Sequence, residues 1–390
     1  MNNLCTDIGW KSVNKVGEQL CGDHVKIVEQ NENDIVLVLA DGLGSGVKAS
    51  ILSTLTSTII STMMANNLSI EDCVSTIAAT LPVCEKRGIA YSTFTIIRIS
   101  NNSEAEIIQY DNPDVVMLRG GMNYDYPKTG MEIGGKTIYK SKLPLEKNDV
   151  FIAMSDGAIY AGVGKTLNFG WQRDSIIDFM VGNYDKKMSA KGISQLLLDQ
   201  CYELYGCEPG DDTTVAAVKI RQRVPVSLMI GPPSNPGDLK KMQTLFFAKE
   251  GRHIVCGGTT SKLAADYLGK PVIPCLDYID PEIPPIAKIE GIDLVTEGVV
   301  TMTKVLEYAG QYLDGSISIA DLSMRKDGAS RIAQMLFEEA TDVSFYVGRA
   351  INPAHQNPKL PINFNVKMQL IDEVSKKLKE MGKNINVSYF

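Results

Sequence analysis

Four short acidic segments, far apart along the chain, carry the residues whose types and spacing suggest chemistry. They are CGDH at Cys21–His24, ADGLGSG at Ala40–Gly46, SDG at Ser155–Gly157 and GDDTT at Gly210–Thr214. The last three place an aspartate where an apolar run meets a turn, which fixes the position of the carboxylate. Carboxylates held close together repel one another unless a cation compensates their charge. Mg²⁺ and Mn²⁺ prefer oxygen ligands, and two such ions can bind a phosphoryl group and activate a water.

The prediction of a metal site depends on the set of segments, because a single Asp-Gly pair is a common turn. Other catalytic centres fit the sequence less well. The three histidines, His24, His253 and His355, are too far apart in sequence to suggest a zinc site. Cys21 lies near Asp23, but no HCx5R loop surrounds it, which argues against a cysteine phosphatase.

The order of these segments resembles the signature of the metal-dependent protein serine/threonine phosphatases of the type 2C superfamily. That signature runs GD, then DGxGSG opening a helix, then SDG, then DDxT before a strand. The stretch LADGLGSGVKAS is especially similar to the stage II sporulation protein E branch of that superfamily. The resemblance extends from Asp23 to Val215.

The resemblance implies a role for each acidic residue. Asp41 is expected to bridge two Mn²⁺ or Mg²⁺ ions, and Gly42 to offer its backbone carbonyl. Asp23 is expected to act mainly through water near one ion. Asp156 and Asp211 would hold the other ion. The implied catalytic residues are therefore Asp23, Asp41, Asp156 and Asp211, and the metal site adds Gly42 and Asp212, which is expected to orient waters or a neighbouring ligand.

Two parts of the family pattern are missing. Some relatives carry a histidine just after the DG that protonates the leaving group, whereas Ser45 lies in that neighbourhood here. His24 is a substitute acid or a surface histidine, and Ser45 is a candidate N-cap for the helix that follows. The phosphate-binding arginine of some relatives also has no clear counterpart, and the open candidates are Lys11, Lys15 and Lys48.

The strands and helices predicted around the acidic segments indicate an α+β domain over residues 1–222. Short Val-, Ile- and Thr-rich runs indicate strands, and longer stretches between them indicate helices. The resemblance implies that they form an αββα phosphatase sandwich. Strands are expected at Val25–Gln30, Ile35–Ala40, Ser92–Ile99, Ala105–Tyr110, Val115–Arg119 and Val150–Met154, and helices at Ser45–Asn66, Ile70–Leu81, Arg173–Val181 and Ala190–Leu204.

A second, smaller domain is predicted over residues 225–390, after a short basic link at Arg221–Val224. Strands there alternate with helices, which favours an α/β fold with a parallel sheet. The strands are VSLMIG, HIVCGG, IDLVTEG and VSFYVG, and the helices are Asp238–Ala248, Thr260–Leu268, Val300–Leu313 and Ser330–Glu339.

The segment IVCGGTTSKLAADYLG contains a candidate anion site in this second domain. A strand leads into Gly257, Gly258, Thr259 and Thr260, which open a helix with free N–H groups and hydroxyls. A phosphate, a nucleotide or a carboxylate would suit such a site. The alternative is a glycine turn whose hydroxyls only cap the helix. The spacing matches neither GxxxxGK[ST] nor GxGxxG.

Composition narrows the class of protein. The 390 residues carry a net charge of −7, which argues against a nucleic-acid-binding face. The eight cysteines form no CxxC pair, and neither a signal sequence nor an apolar run of membrane length is present. We therefore expect a cytoplasmic protein with reduced thiols and no membrane contact.

The resemblance implies a phosphatase that hydrolyses phosphoserine or phosphothreonine in a protein substrate through a metal-activated water, in bacterial signalling. By resemblance the partner would be a phosphorylated anti-sigma-factor antagonist, and the second domain would bind a small anionic ligand. One alternative is a non-catalytic regulatory or ligand-binding protein with a degenerate phosphatase domain. Another is an enzyme whose main chemistry lies in the α/β domain.

Overall fold

The computed structural model describes residues 3–31, 33–80, 92–133, 135–275, 285–350 and 363–390. The chain divides into two compact units, residues 1–222 and 223–390. Each unit has buried hydrophobic clusters of its own. None of the described helices has the length and hydropathy needed to cross a membrane.

The first unit contains two antiparallel sheets. One has the order β2-β3-β4-β5-β9-β8, and the other the order β1-β11-β10-β6-β7. The strands are β1 (Leu4–Val13), β2 (Asp23–Asn31), β3 (Asp34–Gly42), β4 (Ser92–Ser100), β5 (Glu104–Tyr110), β6 (Val116–Arg119), β7 (Met122–Asn123), β8 (Thr129–Ile133), β9 (Lys136–Pro144), β10 (Val150–Met154) and β11 (Thr213–Gln222).

The helices of this unit lie on the outer faces of the sheets. Those beside the acidic segments are α1, which follows β3, and the short α3, which follows β10. The predicted helix over Ile70–Leu81 corresponds to α2, and Leu81 lies outside the described residues. The helices are α1 (Gly46–Ala65), α2 (Ile70–Thr80), α3 (Asp156–Ile159), α4 (Arg173–Asn183) and α5 (Ala190–Leu204).

Successive side chains of a strand point to opposite faces of its sheet, and this divides the apolar residues of the unit among three layers of core. In β3, Leu37 and Leu39 face the other sheet and pack with Phe151 of β10. Val36 and Val38 face the opposite way, toward α1 and α2. The second sheet packs its outer face against α4 and α5. The layers therefore run helices, sheet, sheet, helices, and the predicted α+β class is confirmed.

The second unit has helices on both faces of a seven-stranded sheet. Its strands are β12 (Pro225–Ile230), β13 (Arg252–Cys256), β14 (Ile273–Pro274), β15 (Ala287–Ile289), β16 (Ile292–Thr296), β17 (Asp342–Val347) and β18 (Asn384–Tyr389). Its helices are α6 (Leu239–Phe247), α7 (Gly258–Leu268), α8 (Val299–Asp314), α9 (Ile319–Arg325), α10 (Gly328–Ala333), which continues as a π-helical turn over Gln334–Glu339, and α11 (Asn363–Glu380).

This sheet is mixed rather than wholly parallel. The strands β16, β13, β12, β17 and β18 are parallel neighbours, whereas β14 and β15 add to the edge in antiparallel orientation. The cause is a tight hairpin: Ile289 pairs with Ile292 across Glu290 and Gly291, and Gly291 has a φ of 93°. A two-residue connection joins only antiparallel strands, because parallel strands need a longer crossover.

Candidate functional site

Pairing of β2 with β3 brings the first two aspartates together. Asp23 lies directly opposite Asp41 in the antiparallel register, and the N–H of Gly42 donates to the carbonyl of Gly22 over 3.1 Å. A Cβ on Gly42 would overlap the backbone carbonyl of Ala49 in α1. Glycine at position 42 therefore lets α1 pack directly against the strand that carries Asp41.

The other three aspartates come from the adjacent ends of β10 and β11. The N–H of Ser155 donates to the carbonyl of Thr214 over 3.0 Å, and the N–H of Thr214 donates to the hydroxyl of Ser155 over 2.9 Å. These bonds fix Asp156, the first residue of α3, beside the turn that contains Asp211 and Asp212. The N–H of Asp212 also donates to the side chain of Asp211 over 3.0 Å.

The two pairs of strands meet at one place. A Cβ on Gly22 would lie 2.8 Å from Oδ2 of Asp212, and the Sγ of Cys21 lies 3.9 Å from the hydroxyl of Thr214. The backbone N–H of Lys15 also donates to Oδ1 of Asp212 over 3.0 Å. The structure thus brings together the four acidic segments that the sequence separates.

Electrostatics show how closely these carboxylates interact. Burial raises the pKa of Asp41 to about 9, and the charges of Asp23, Asp156 and Asp211 add to the increase. Burial also raises the pKa of Asp156, and the charge of Asp211 contributes. Burial raises the pKa of Asp211 as well, although nearby Lys15 opposes the change. Protein cations therefore do not neutralise the cluster.

Asp23 is the most deeply buried of the predicted catalytic residues. Burial raises its pKa to about 7, and the charges of Asp212 and Asp156 also contribute. The hydroxyls of Ser155 and Thr214 lie near enough to offset part of this increase. Neither carboxylate oxygen of Asp23 has a partner in hydrogen-bond geometry, and the same holds for Oδ2 of Asp212.

The donor set of this cluster fits Mg²⁺ or Mn²⁺. All of its ligand groups are oxygens, and buried carboxylate oxygens without partners are the groups that a hard cation would satisfy. Among the described residues, no three Asp, Glu, His or Cys side chains are already arranged to hold a metal ion. The carboxylates must therefore turn toward an ion to ligate it.

His24 lies on the other face of β2 from this cluster. Its Nδ1 is 2.7 Å from the hydroxyl of Ser57 in α1, and burial, with help from Lys26, lowers its pKa. Neighbouring residues of a strand point to opposite faces, so His24 faces α1 while Asp23 faces the cluster. His24 is thus poorly placed to protonate a leaving group there, and His355 lies outside the described residues.

Lys15 is the one candidate phosphate-binding lysine that borders the cluster in the described structure. Its Nζ lies 3.9 Å from Oδ1 of Asp211, and its side chain is 40% exposed. Neither Lys11 nor Lys48 forms an ion pair with the described carboxylates. Lys15 therefore lies between the acidic cluster and solvent.

Glu18 is a residue of this region that the sequence did not single out. Its Oε1 accepts a hydrogen bond of 3.0 Å from the hydroxyl of Ser45. Ser45 has the extended backbone of an N-cap, but its side chain caps no N–H of α1. Glu18 thus restrains the turn between Asp41 and α1. Because Glu18 lies in a loop and outside any motif, the sequence did not indicate this contact.

In the candidate anion site of the second unit, one of the predicted hydroxyls is already hydrogen-bonded within the protein. Gly257, with a φ of 106°, precedes α7, and Gly258 and Thr259 begin the helix. Thr260 is buried, and its hydroxyl accepts a hydrogen bond of 2.9 Å from the N–H of Gly231 at the end of β12. The hydroxyl of Thr260 is therefore directed toward β12.

Comparison with known proteins finds a family match within the first unit. The family model of stage II sporulation protein E (SpoIIE) matches residues 31–221. This match includes Asp41, Asp156, Asp211 and Asp212, whereas Asp23 precedes it. No curated protein sequence matches the chain.

Several solved structures resemble part of the chain. The phosphatase domain and regulatory-domain fragment of SpoIIE from Bacillus subtilis is 20% identical, covering 56% of this chain and 63% of that one, with a TM-score of 0.49. The RsbU and RsbW domains of Rv1364c from Mycobacterium tuberculosis are 17% identical, covering 62% and 67%, with a TM-score of 0.47. RsbX in complex with magnesium is 16% identical, covering 55% and 96%, with a TM-score of 0.40.

The chain thus spans less than two thirds of the first of these structures. The family match itself covers most of the first unit and the acidic segments from Asp41 onward. Residues 31–221 of this chain therefore match the stage II sporulation protein E family.

Proposed function

We propose that this protein hydrolyses phosphoserine or phosphothreonine in a protein substrate, with two Mn²⁺ or Mg²⁺ ions as cofactors. The observation that carries the proposal is the cluster of carboxylates that the two sheets bring together, where burial, with their mutual charges, raises the pKa of Asp23, Asp41 and Asp156. The family of the domain supports the same reaction class. Bound ions would activate a water and neutralise charge on the phosphoryl oxygens.

The protein's own residues would hold and orient the reacting groups. Asp41 would contact both ions, with the Gly42 carbonyl beside it, and Asp23 would act mainly through water. Asp156 and Asp211 would hold the second ion. Asp212 would keep its place through the N–H of Lys15 and orient waters near the site.

The side chain of Lys15 is the best-placed group to meet the substrate phosphate. It carries a positive charge at the exposed border of the cluster, next to Asp211. A charge-assisted hydrogen bond from an ammonium to a phosphoryl oxygen is stronger than a neutral one. Lys15 would therefore bind and orient the phosphate group.

Purified full-length protein tests the reaction directly. With Mn²⁺ it should release phosphate from a phosphoserine peptide. Asp41→Asn and Asp156→Asn should each lower the rate by at least about 100-fold, the upper range for losing even an outer partner of a metal ligand. Asp199→Asn, an exposed carboxylate on α5, is the control and should leave the rate unchanged. Turnover with Mn²⁺ that survives both cluster variants would refute the proposal.

The substrate we propose is a phosphorylated anti-sigma-factor antagonist. This choice rests on the resemblance to the sporulation branch, and the net charge of −7 gives no support for nucleic acid as a partner. Dephosphorylation of such a protein should exceed that of an unrelated phosphoprotein at equal concentration. Equal rates on both would contradict this assignment while leaving the phosphatase activity intact.

A second candidate is a regulatory domain without catalytic activity. The observation that favours it is the absence, among the described residues, of a ready three-ligand arrangement. Calorimetry with Mn²⁺ distinguishes the two, because a degenerate domain would bind no ion. Binding that Asp41→Asn abolishes would support the phosphatase.

A further inference from the structure

The second unit has a reversal of strand order at the centre of its sheet. Its parallel strands lie in the order β16-β13-β12-β17-β18, although the chain forms β12, β13 and β16 before β17 and β18. The chain thus moves away from β12 on one side and later returns to its other side. In open α/β sheets the crevice at such a reversal, outside the carboxyl ends of the strands, is where ligands bind.

Polar groups from both helical layers converge on the carboxyl end of β12. Gly231 lies there with a φ of 78°, and its N–H donates to the hydroxyl of Thr260 from α7. The Nζ of Lys367 from α11 lies 2.5 Å from the position that a Cβ on Gly231 would take. The helices α7 and α11 pack on opposite faces of the sheet. The ammonium group of Lys367 therefore occupies the space that a side chain at position 231 would take.

The charge of Lys367 has little compensation. Its Nζ donates one long hydrogen bond, 3.3 Å, to the carbonyl of Ala350 just after β17, although an ammonium has three donors. In the described part of the chain no carboxylate lies within ion-pair distance of it. Burial lowers its pKa. A half-buried cation without an anion is costly unless a ligand supplies the negative charge.

The neighbouring donors favour a phosphate group. The start of α7 adds the N–H groups of Gly258 and Thr259, which a helix leaves free in its first turn. A Cβ on Gly258 would meet nothing within 4 Å, so the backbone at the start of α7 is open to a ligand. A phosphate has enough oxygens to accept from the ammonium and from backbone donors together.

We infer that the second unit binds a small molecule carrying a phosphate group at the carboxyl ends of β12 and β17, where Lys367 meets the phosphate. Gly231 provides the space for the ammonium. The N-terminal turn of α7 provides backbone donors. This inference does not depend on the phosphatase activity of the first unit.

Calorimetry of ligand binding to the full chain tests the inference. It is done in EDTA, because the acidic cluster without its ions repels phosphate. Inorganic phosphate and AMP are the phosphate probes, and citrate is the carboxylate probe. At least one phosphate probe should bind, and AMP alone would point to a nucleotide. Lys367→Met should weaken that binding about 10- to 100-fold, as for loss of a hydrogen bond to a charged group. Lys376→Met, an exposed lysine of the same helix, should not change it.

Melting without ligand separates a binding role from a structural one. Lys367→Met should melt at or above the wild-type temperature, because it removes an uncompensated charge. Should it fail to fold, Lys367→Arg is the second variant, and it should retain binding through its charge. The inference is overturned if neither phosphate probe binds, if only citrate binds, or if Lys367→Met binds the phosphate probe as tightly as the wild type.

Discussion

At the residue scale, Asp41 illustrates how burial and neighbouring charge act together. Burial and the charges of three other carboxylates raise its pKa from the ordinary value of 3.8 to about 9. The ion-free protein therefore favours a protonated Asp41 at neutral pH. A divalent cation would reverse this preference, because it stabilises the charged form.

This reversal predicts the effect of pH on stability. A carboxyl whose folded pKa is raised stabilises the fold fully below its unfolded pKa, and this contribution is lost as pH rises through the folded pKa. For Asp41 the loss extends from about pH 4 to about pH 9. In EDTA, Asp41→Asn should therefore gain in Tm relative to the wild type as pH rises from 6 to 9.

Comparing the Tm of Asp41→Asn with that of the wild type cancels the pH-dependent contributions of all other titratable groups. Buried Lys219 is one of them, since its pKa is lowered to about 8, chiefly by burial, and its effect has the opposite sign. Melting in Mn²⁺ is the control, because bound ions should remove the advantage of the variant at high pH. A Tm difference that stays constant with pH in EDTA would contradict the assignment.

Lys15 gives a second prediction at this scale. If its ammonium binds the substrate phosphate equally in the ground and transition states, Lys15→Gln should raise KM and leave kcat nearly unchanged. The expected increase is about tenfold, from one charged hydrogen bond worth roughly 1.5 kcal/mol. Saturating Mn²⁺ keeps ion binding out of the measurement. Lys48→Gln, at an exposed position of α1, is the matched control. An unchanged KM for Lys15→Gln would exclude this role.

The acidic residues could be found from the sequence, but their surroundings could not. Each of Asp41, Asp156 and Asp211 adjoins an apolar strand, and that pattern is local. The orientation of His24 follows from alternation only once Asp23 is known to face the cluster. Glu18 acts through a contact with Ser45, 27 residues away, which no local pattern encodes.

At the element scale, the contact between β3 and α1 positions the acidic turn. The residues of α1 that face the sheet are mostly small or hydroxyl-bearing, and they include Ala49, Ser53 and Ser57. This allows a close approach, which Gly42 completes from the side of the strand. The position of Asp41 therefore depends on the packing of a helix as well as on its own strand.

Substitution of Gly42 tests this packing. The Cβ of Gly42→Ala would overlap the Ala49 carbonyl, so the helix must move. We expect a loss of about 1–3 kcal/mol in the free energy of unfolding, as for an overpacked core, together with lower activity. Urea denaturation measures the change.

The matched control is Gly182→Ala in α4, where a Cβ would meet nothing within 4 Å. That change should be neutral or stabilising, by up to about 1 kcal/mol, because alanine favours helix. If Gly42→Ala unfolds at the same urea concentration as the wild type, the close packing of α1 is not required.

Strands with alternating apolar residues and clear turns were predictable, whereas two long strands of the first unit were not. β1 pairs with β11 along its whole length, from Leu4 opposite Gln222 to Val13 opposite Thr213. Its sequence, LCTDIGWKSV, lacks a regular alternation of apolar and polar residues, and pairing with a partner far along the chain makes it a strand. β9 is similar, with three lysines among nine residues. Strand formation in these segments depends on distant pairing more than on local preference.

At the scale of the whole molecule, the chain divides between residues 222 and 223 into units with separate cores. β1 and β11 close the first unit by joining its two ends in one sheet. The helix and strand alternation of the second unit indicated an α/β fold, but the hairpin that makes its edge antiparallel depends on Gly291. The strand order, which determines where a ligand would bind, is not encoded in any local pattern.

Independence of the units gives a prediction at this scale. A fragment of residues 1–222 should fold by itself, because among the described residues its sheets and core clusters are formed within this range. Its rate of p-nitrophenyl phosphate hydrolysis with Mn²⁺ should be comparable to that of the full chain. A fragment without a cooperative thermal transition would show that the first unit needs the second.

We propose that carboxylates from four separate segments share divalent ions at one site. Anomalous diffraction from crystals of the full chain soaked in Mn²⁺ tests it most directly. We expect two neighbouring peaks, with the carboxylate of Asp41 contacting both and Asp156 and Asp211 on the second. Peaks that lie away from Asp41, or none at saturating Mn²⁺, would contradict it.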